Sequence, residues 1–115
     1  MNHILVIDDH DAIVKFLRKA LTDLGYEVKA AHDGEEGIKL VNDGYNFNLI
    51  ITDIDMPRMD GNAVAEYIRS SENPDTPIMA LTGCSHDAIK RDLFNFVLMK
   101  PFDLKALITA VKSFT

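Results

Sequence analysis

The sequence predicts an α/β fold in which a parallel five-stranded sheet carries five helices on its two faces. Three observations predict it. Short apolar runs alternate with longer amphipathic stretches along the whole chain, which is the signature of strand–helix–strand crossovers. The runs are nearly continuous in apolar residues, as strands buried on both faces require. Acidic, hydroxyl or basic residues follow most of the runs directly, and in open parallel sheets the ligand site lies beyond the carboxyl ends of the strands.

The first strand is the run Ile4, Leu5, Val6 and Ile7, cut off by Asp8. A helix follows, with Ile13, Phe16, Leu17, Ala20, Leu21 and Leu24 at helical spacing and Gly25 as its stop. Val28, Lys29, Ala30 and Ala31 form a weaker, more polar run that suits an edge strand. Residues 35–43 form the second helix, closed by Gly44. Leu49, Ile50 and Ile51 make the third strand, and residues 63–70 the third helix, with Val64, Tyr67 and Ile68 on one side. Ile78, Met79, Ala80 and Leu81 make the fourth strand, and residues 86–93 a short fourth helix. Phe96, Val97, Leu98 and Met99 read as a fifth buried strand. A final helix carries Leu104, Leu107, Ile108 and Val111, opened by Asp103 as its N-cap and ending near Ser113. Crossovers of this kind are right-handed.

With 115 residues the chain is one domain, 1–115, long enough for a core without staples. A lone cysteine, Cys84, excludes an internal disulfide and a cysteine metal cluster, and reads as a small hydrophobe. No run reaches the length of a membrane span, and Met1 leads straight into a strand without the basic segment of a signal peptide. The expectation is a soluble cytoplasmic domain with no membrane partner. The net charge of −6 argues against direct nucleic-acid binding, which needs basic clusters.

Placement of the acids is more informative than their number. Asp8 and Asp9 follow the first strand, Asp53 ends the third, Thr82 follows the fourth and Lys100 the fifth. Parallel strands bring all of them to one edge. Asp8 and Asp9 alone would do no more than favour a helix N-terminus. With Asp53 added, three like charges converge, and they need protonation or a cation. Mg²⁺ takes oxygen ligands and is typically held by carboxylates together with phosphate oxygens. Lys100 suits phosphate oxygens as a point charge, and the Thr82 hydroxyl can donate to one of them. A carboxylate beside such groups can attack phosphorus and form an acyl phosphate without a general base.

These residues resemble the receiver domain of two-component response regulators, over essentially the whole chain. The resemblance lies in Asp8-Asp9, Asp53 with Met56-Pro57 and Asp60-Gly61 behind it, Thr82 with a small neighbour, and Lys100-Pro101-Phe102. It implies the flavodoxin-like (CheY-like) strand order 2-1-3-4-5. It also implies that Asp53 accepts a phosphoryl group from a sensor histidine kinase or a histidine phosphotransfer protein. Mg²⁺ would be held by Asp8, Asp9, Asp53 and the backbone carbonyl of Asp55. Thr82 would move towards the phosphoryl group and Lys100 would pair with it. The domain would switch a downstream protein or effector domain, and would be no enzyme beyond its own phosphoryl transfer and dephosphorylation. Asp60 reads as a cap of the third helix, and Gly61 as a turn glycine with backbone angles other residues avoid. His10 reads as helix-entry surface, with a place on the pocket rim left open.

The chain departs from the family pattern in one region. Receivers often carry an aromatic residue three positions before the lysine, and here Val97 stands there with Phe96 one residue earlier. Either that switch is absent, or the register shifts and Phe96 substitutes. The interval from Thr82 to Lys100 is shorter than usual by about one helical turn, so the fourth helix is expected to be truncated or irregular. Asp55 and Cys84 occupy positions that tune dephosphorylation in the family, and Asp55 can either position or repel the attacking water.

Three other functions use parts of the same pattern. Asp53-Ile54-Asp55 resembles the motif of haloacid-dehalogenase-like phosphatases, with Asp53 as nucleophile and Asp55 as general acid. It sits on the third strand instead of the first, and Pro57 breaks its continuation. A flavodoxin-like FMN carrier would repel its phosphate on Asp8 and Asp9. A receiver-like binding module without phosphorylation would have no use for the acids and Lys100. A stand-alone regulator, a phosphorelay shuttle and a receiver cut from a longer protein all fit the sequence.

Overall fold

The computed structural model describes residues 2–83 and 89–115. Strands β1 (His3–Ile7), β2 (Glu27–Ala31), β3 (Leu49–Asp53), β4 (Ile78–Thr82) and β5 (Phe96–Met99) form one sheet in the order β2-β1-β3-β4-β5. Every pairing is parallel. Helices α1 (Asp11–Asp23), α2 (Gly34–Asn42), α3 (Gly61–Arg69) and α4 (Leu104–Phe114) cover it. Alternate side chains of the central strands go to opposite faces. Ile4, Val6, Leu49, Ile51, Met79 and Leu81 pack with Leu17, Leu21, Leu107 and Val111 of α1 and α4. Leu5, Ile7, Ile50 and Ile78 pack with Val64 and Ile68 of α3. The near-continuous apolar runs of the central strands follow from this two-sided burial.

Helix starts agree with capping chemistry. The side chains of Asp33, Asp60 and Asp103 accept hydrogen bonds from the backbone N–H groups of Glu36, Ala63 and Ala106 at 2.8, 2.9 and 2.7 Å. Each satisfies one donor that the helix leaves open. After α1 and α2, Gly25 and Gly44 take positive φ and end the helices.

The structure corrects four expectations. Among the described residues there are four α-helices, not five: residues 91–93 form only a 3-10 turn (Arg91–Leu93), and residues 86–88 of the expected fourth helix lie outside the described residues. The segment before that turn is fastened to α3 instead. Lys90 N–H donates to the buried Asn62 Oδ1 at 2.9 Å, and the Lys90 ammonium pairs with Glu66. Secondly, β5 is not buried on both faces. It is an edge strand, and Phe96 and Met99 are 39% and 38% exposed. Thirdly, α1 is rotated relative to its apolar stripe. Val14, Leu17 and Leu21 are buried, while Phe16 is exposed and lies against Phe102.

The fourth correction concerns Gly61, which does not have positive φ; in that turn Arg58 does, at 67°. Gly61 is needed for close approach. A Cβ there would lie 2.3 Å from the Asp53 carbonyl oxygen and 2.9 Å from Ile54 Cα, both backbone atoms. The N-terminus of α3 therefore rests directly on the end of β3. Gly61→Ala is expected to lower the unfolding free energy by about 1–3 kcal/mol, as overpacking does. Urea unfolding would show it as a lower midpoint at unchanged slope.

Candidate functional site

Strand register assembles the site. Asp53, the last residue of β3, lies opposite Leu81, so Thr82 stands one step beyond it on β4. Thr82 is fully buried, and its carbonyl accepts the Lys100 N–H at 2.8 Å, which fixes where the Lys100 side chain starts. Asp8 follows β1, and its N–H donates to the Ala31 carbonyl at 3.1 Å. Four strands thus deliver Asp8, Asp53, Thr82 and Lys100 to one edge of the sheet.

Asp8 is fully buried and Asp53 is 2% exposed. The Lys100 ammonium lies between them, 3.5 Å from Asp8 Oδ2 and 3.3 Å from Asp53 Oδ1. Asp53 Oδ2 is also buried, and among the described residues no hydrogen bond reaches it. A buried carboxylate oxygen without a partner is costly. Burial, followed by the charge of Asp8, pushes the Asp53 carboxyl up from its ordinary value, and Lys100 only partly offsets them.

His10, which the sequence reads as helix-entry surface with a place on the pocket rim left open, stands on that rim. Its ring is largely exposed, yet Nδ1 reaches Asp8 Oδ1 at 3.0 Å, Asp9 Oδ1 at 3.2 Å and Asp53 Oδ2 at 4.0 Å. The hydrogen bond to Asp8, then the charges of Asp8 and Asp9, push its pKa up. Ligand atoms of Asp8, Asp9, His10 and Asp53 all lie within 4.8 Å of one another. The donor set and the orphaned Asp53 oxygen fit a divalent cation, which would supply the charge the carboxylates lack. The Asp55 side chain is exposed, and that group does not include it.

The register of β5 does not shift. Val97 pairs with Ala80 and packs beside it, whereas Phe96 turns to the other face and meets the Phe114 ring edge-on at 6.4 Å. Valine therefore holds the position that the family resemblance associates with an aromatic. Cys84 lies outside the described residues. Among the described residues no helix is long and apolar enough to cross a membrane.

Comparison with known proteins agrees with this geometry. The response regulator receiver domain family matches residues 4–112. Response regulator MprA of Mycobacterium ulcerans is 34% identical over 96% of the chain, which spans 48% of that protein. Sensor kinase CckA of Brucella abortus is 34% identical over 95% of the chain, which spans 12% of it. The chain thus covers half or less of these relatives. Among solved structures, response regulator TrrA of Thermotoga maritima in complex with Mg²⁺-BeF superposes with a TM-score of 0.90 at 35% identity, with 100% of both chains covered.

Proposed function

The chain belongs to the response regulator receiver domain family of two-component signalling, and from that premise we propose that Asp53 is its phosphoacceptor. The observation that carries this is the state of the Asp53 carboxylate. It is buried at a strand end and held on one oxygen by Lys100, and among the described residues no hydrogen bond reaches the other. Receiver domains interact with histidine kinases and with downstream effectors. The proposed donor is a phosphohistidine on a sensor kinase or a phosphotransfer protein, and the proposed output is a partner protein or effector domain.

In this scheme one Asp53 oxygen attacks phosphorus. The P–O bond forms as the P–N bond to the donor imidazole breaks, and the leaving nitrogen takes a proton from solvent. The nucleophile needs no base, since the carboxylate is already the attacking form. In this reading Lys100 follows the phosphoryl oxygens as charge moves onto them, and Thr82 donates its hydroxyl. Asp8, Asp9, Asp53 and the Asp55 carbonyl are the proposed holders of Mg²⁺, the last by family resemblance alone. When bound, Mg²⁺ supplies neutralising charge to the carboxylates and to the incoming phosphoryl oxygens.

Acetyl phosphate in excess, with Mg²⁺, is expected to add a single phosphoryl group per chain and then plateau. A generic phosphomonoester should give no sustained release of phosphate. Sustained turnover would favour the phosphatase chemistry of the Asp53-Ile54-Asp55 motif instead.

A further inference from the structure

The proposed function leaves His10 unused, although its ring Nδ1 lies against three acids of the group. Mg²⁺ is a hard ion that favours oxygen and gains little from an imidazole. First-row transition dications bind imidazole and carboxylate together. Nδ1 of His10 lies 3.0, 3.2 and 4.0 Å from one oxygen each of Asp8, Asp9 and Asp53. The oxygen nearest it on Asp53 is the buried one that, among the described residues, no hydrogen bond reaches. Ligands on opposite sides of a six-coordinate dication lie about 4.2 Å apart, from bonds of about 2.1 Å. A span of at most 4.8 Å among the four ligand atoms comes close to this.

We propose that His10 supplies a nitrogen ligand to this seat, so that a first-row transition dication is held by four side chains where Mg²⁺ uses the three carboxylates. The inference rests on the acidic seat proposed above. His10 is positioned for it by its own backbone, since its N–H donates to Asp8 Oδ1 at 2.9 Å and holds the ring over the group. Coordination through Nδ1 requires the tautomer with the proton on Nε2. Lys100 approaches from the opposite carboxylate oxygens, Asp8 Oδ2 and Asp53 Oδ1, and does not compete for the side that His10 faces.

Calorimetric titration of Ni²⁺ and of Mg²⁺ into the wild type, His10→Ala and Asp53→Asn tests this, with Co²⁺ absorption as a spectroscopic readout of nitrogen ligation. His10→Ala is expected to weaken Ni²⁺ relative to Mg²⁺ by about tenfold or more, since loss of a mere outer-shell partner already costs about that much, and to shift the Co²⁺ bands. Asp53→Asn should lose both ions from the seat and report any background from His3, His32 and His86. An unchanged Ni²⁺ to Mg²⁺ ratio and Co²⁺ spectrum in His10→Ala would overturn the role of His10 alone. Failure of the wild type to bind either ion, or full retention of both by Asp53→Asn, would overturn the acidic seat and the inference with it.

Discussion

Lys100→Met is expected to lower the unfolding free energy by about 3 kcal/mol in ion-free buffer, the scale of breaking a buried ion pair by removing one partner. The side chain is nearly conserved in shape, so packing changes little. What is lost is the ammonium that lies 3.3 Å from Asp53 and 3.5 Å from Asp8. Both carboxylates are buried, so water cannot replace it. For a chain of this length the melting temperature should fall by roughly 10 °C. Much of the loss should return in Lys100→Met with Asp53→Asn, because one of the two stranded charges is then gone. A double-mutant cycle reads this coupling directly, and strict additivity would contradict it.

Asp53→Asn alone is expected to stabilise the ion-free protein at pH above the folded-state pKa of Asp53, by about 1–2 kcal/mol, as relief of a buried charge with one oxygen that no described residue hydrogen-bonds. The pH dependence has a definite sign. The folded-state pKa of Asp53 lies above its unfolded value, through burial and the charge of Asp8. The native state therefore holds that proton more tightly. Its contribution to stability is fully present below the unfolded pKa and is lost as pH rises through the folded one. The advantage of the variant over wild type should accordingly be full above the folded-state pKa. It should shrink as pH falls through the folded pKa and vanish below the ordinary carboxylate range. Thermal unfolding of both proteins across that range checks it, and an advantage that grew on acidification would contradict it. Added Mg²⁺ should raise the wild-type melting temperature and leave the variant almost unmoved, because the proposed seat includes the Asp53 carboxylate.

These expectations depend on features that differ in how far they can be read from sequence. The strands are legible because two-sided burial writes continuous apolar runs into the chain, as at Ile50 and Ile51. The site is legible for a topological reason. Once the strands are parallel, Asp8, Asp53, Thr82 and Lys100 must share an edge, however far apart they lie in the chain. Rotation and neighbours are harder. The spacing of Phe16 and Leu17 does not say which of them faces the sheet, and Val14 turns out to be the inward residue. The run at β5 looks like a central strand, but β5 lies at the sheet edge, and Phe96 and Met99 stay exposed there. Gly61 shows the same limit at the level of one atom. Its tight approach to the Asp53 carbonyl is a tertiary fact with no local signature. His10 follows two acids in sequence, and only the turn at the start of α1 decides that its ring folds back over them.

The central claim is that the buried carboxylate of Asp53 is where the phosphoryl group is received. Intact mass measurement of wild type and Asp53→Asn, each incubated with acetyl phosphate and Mg²⁺, tests it most directly. The predicted result is the added mass of one phosphoryl group on the wild type and none on the variant. No added mass on the wild type, or equal labelling of the two proteins, would contradict it.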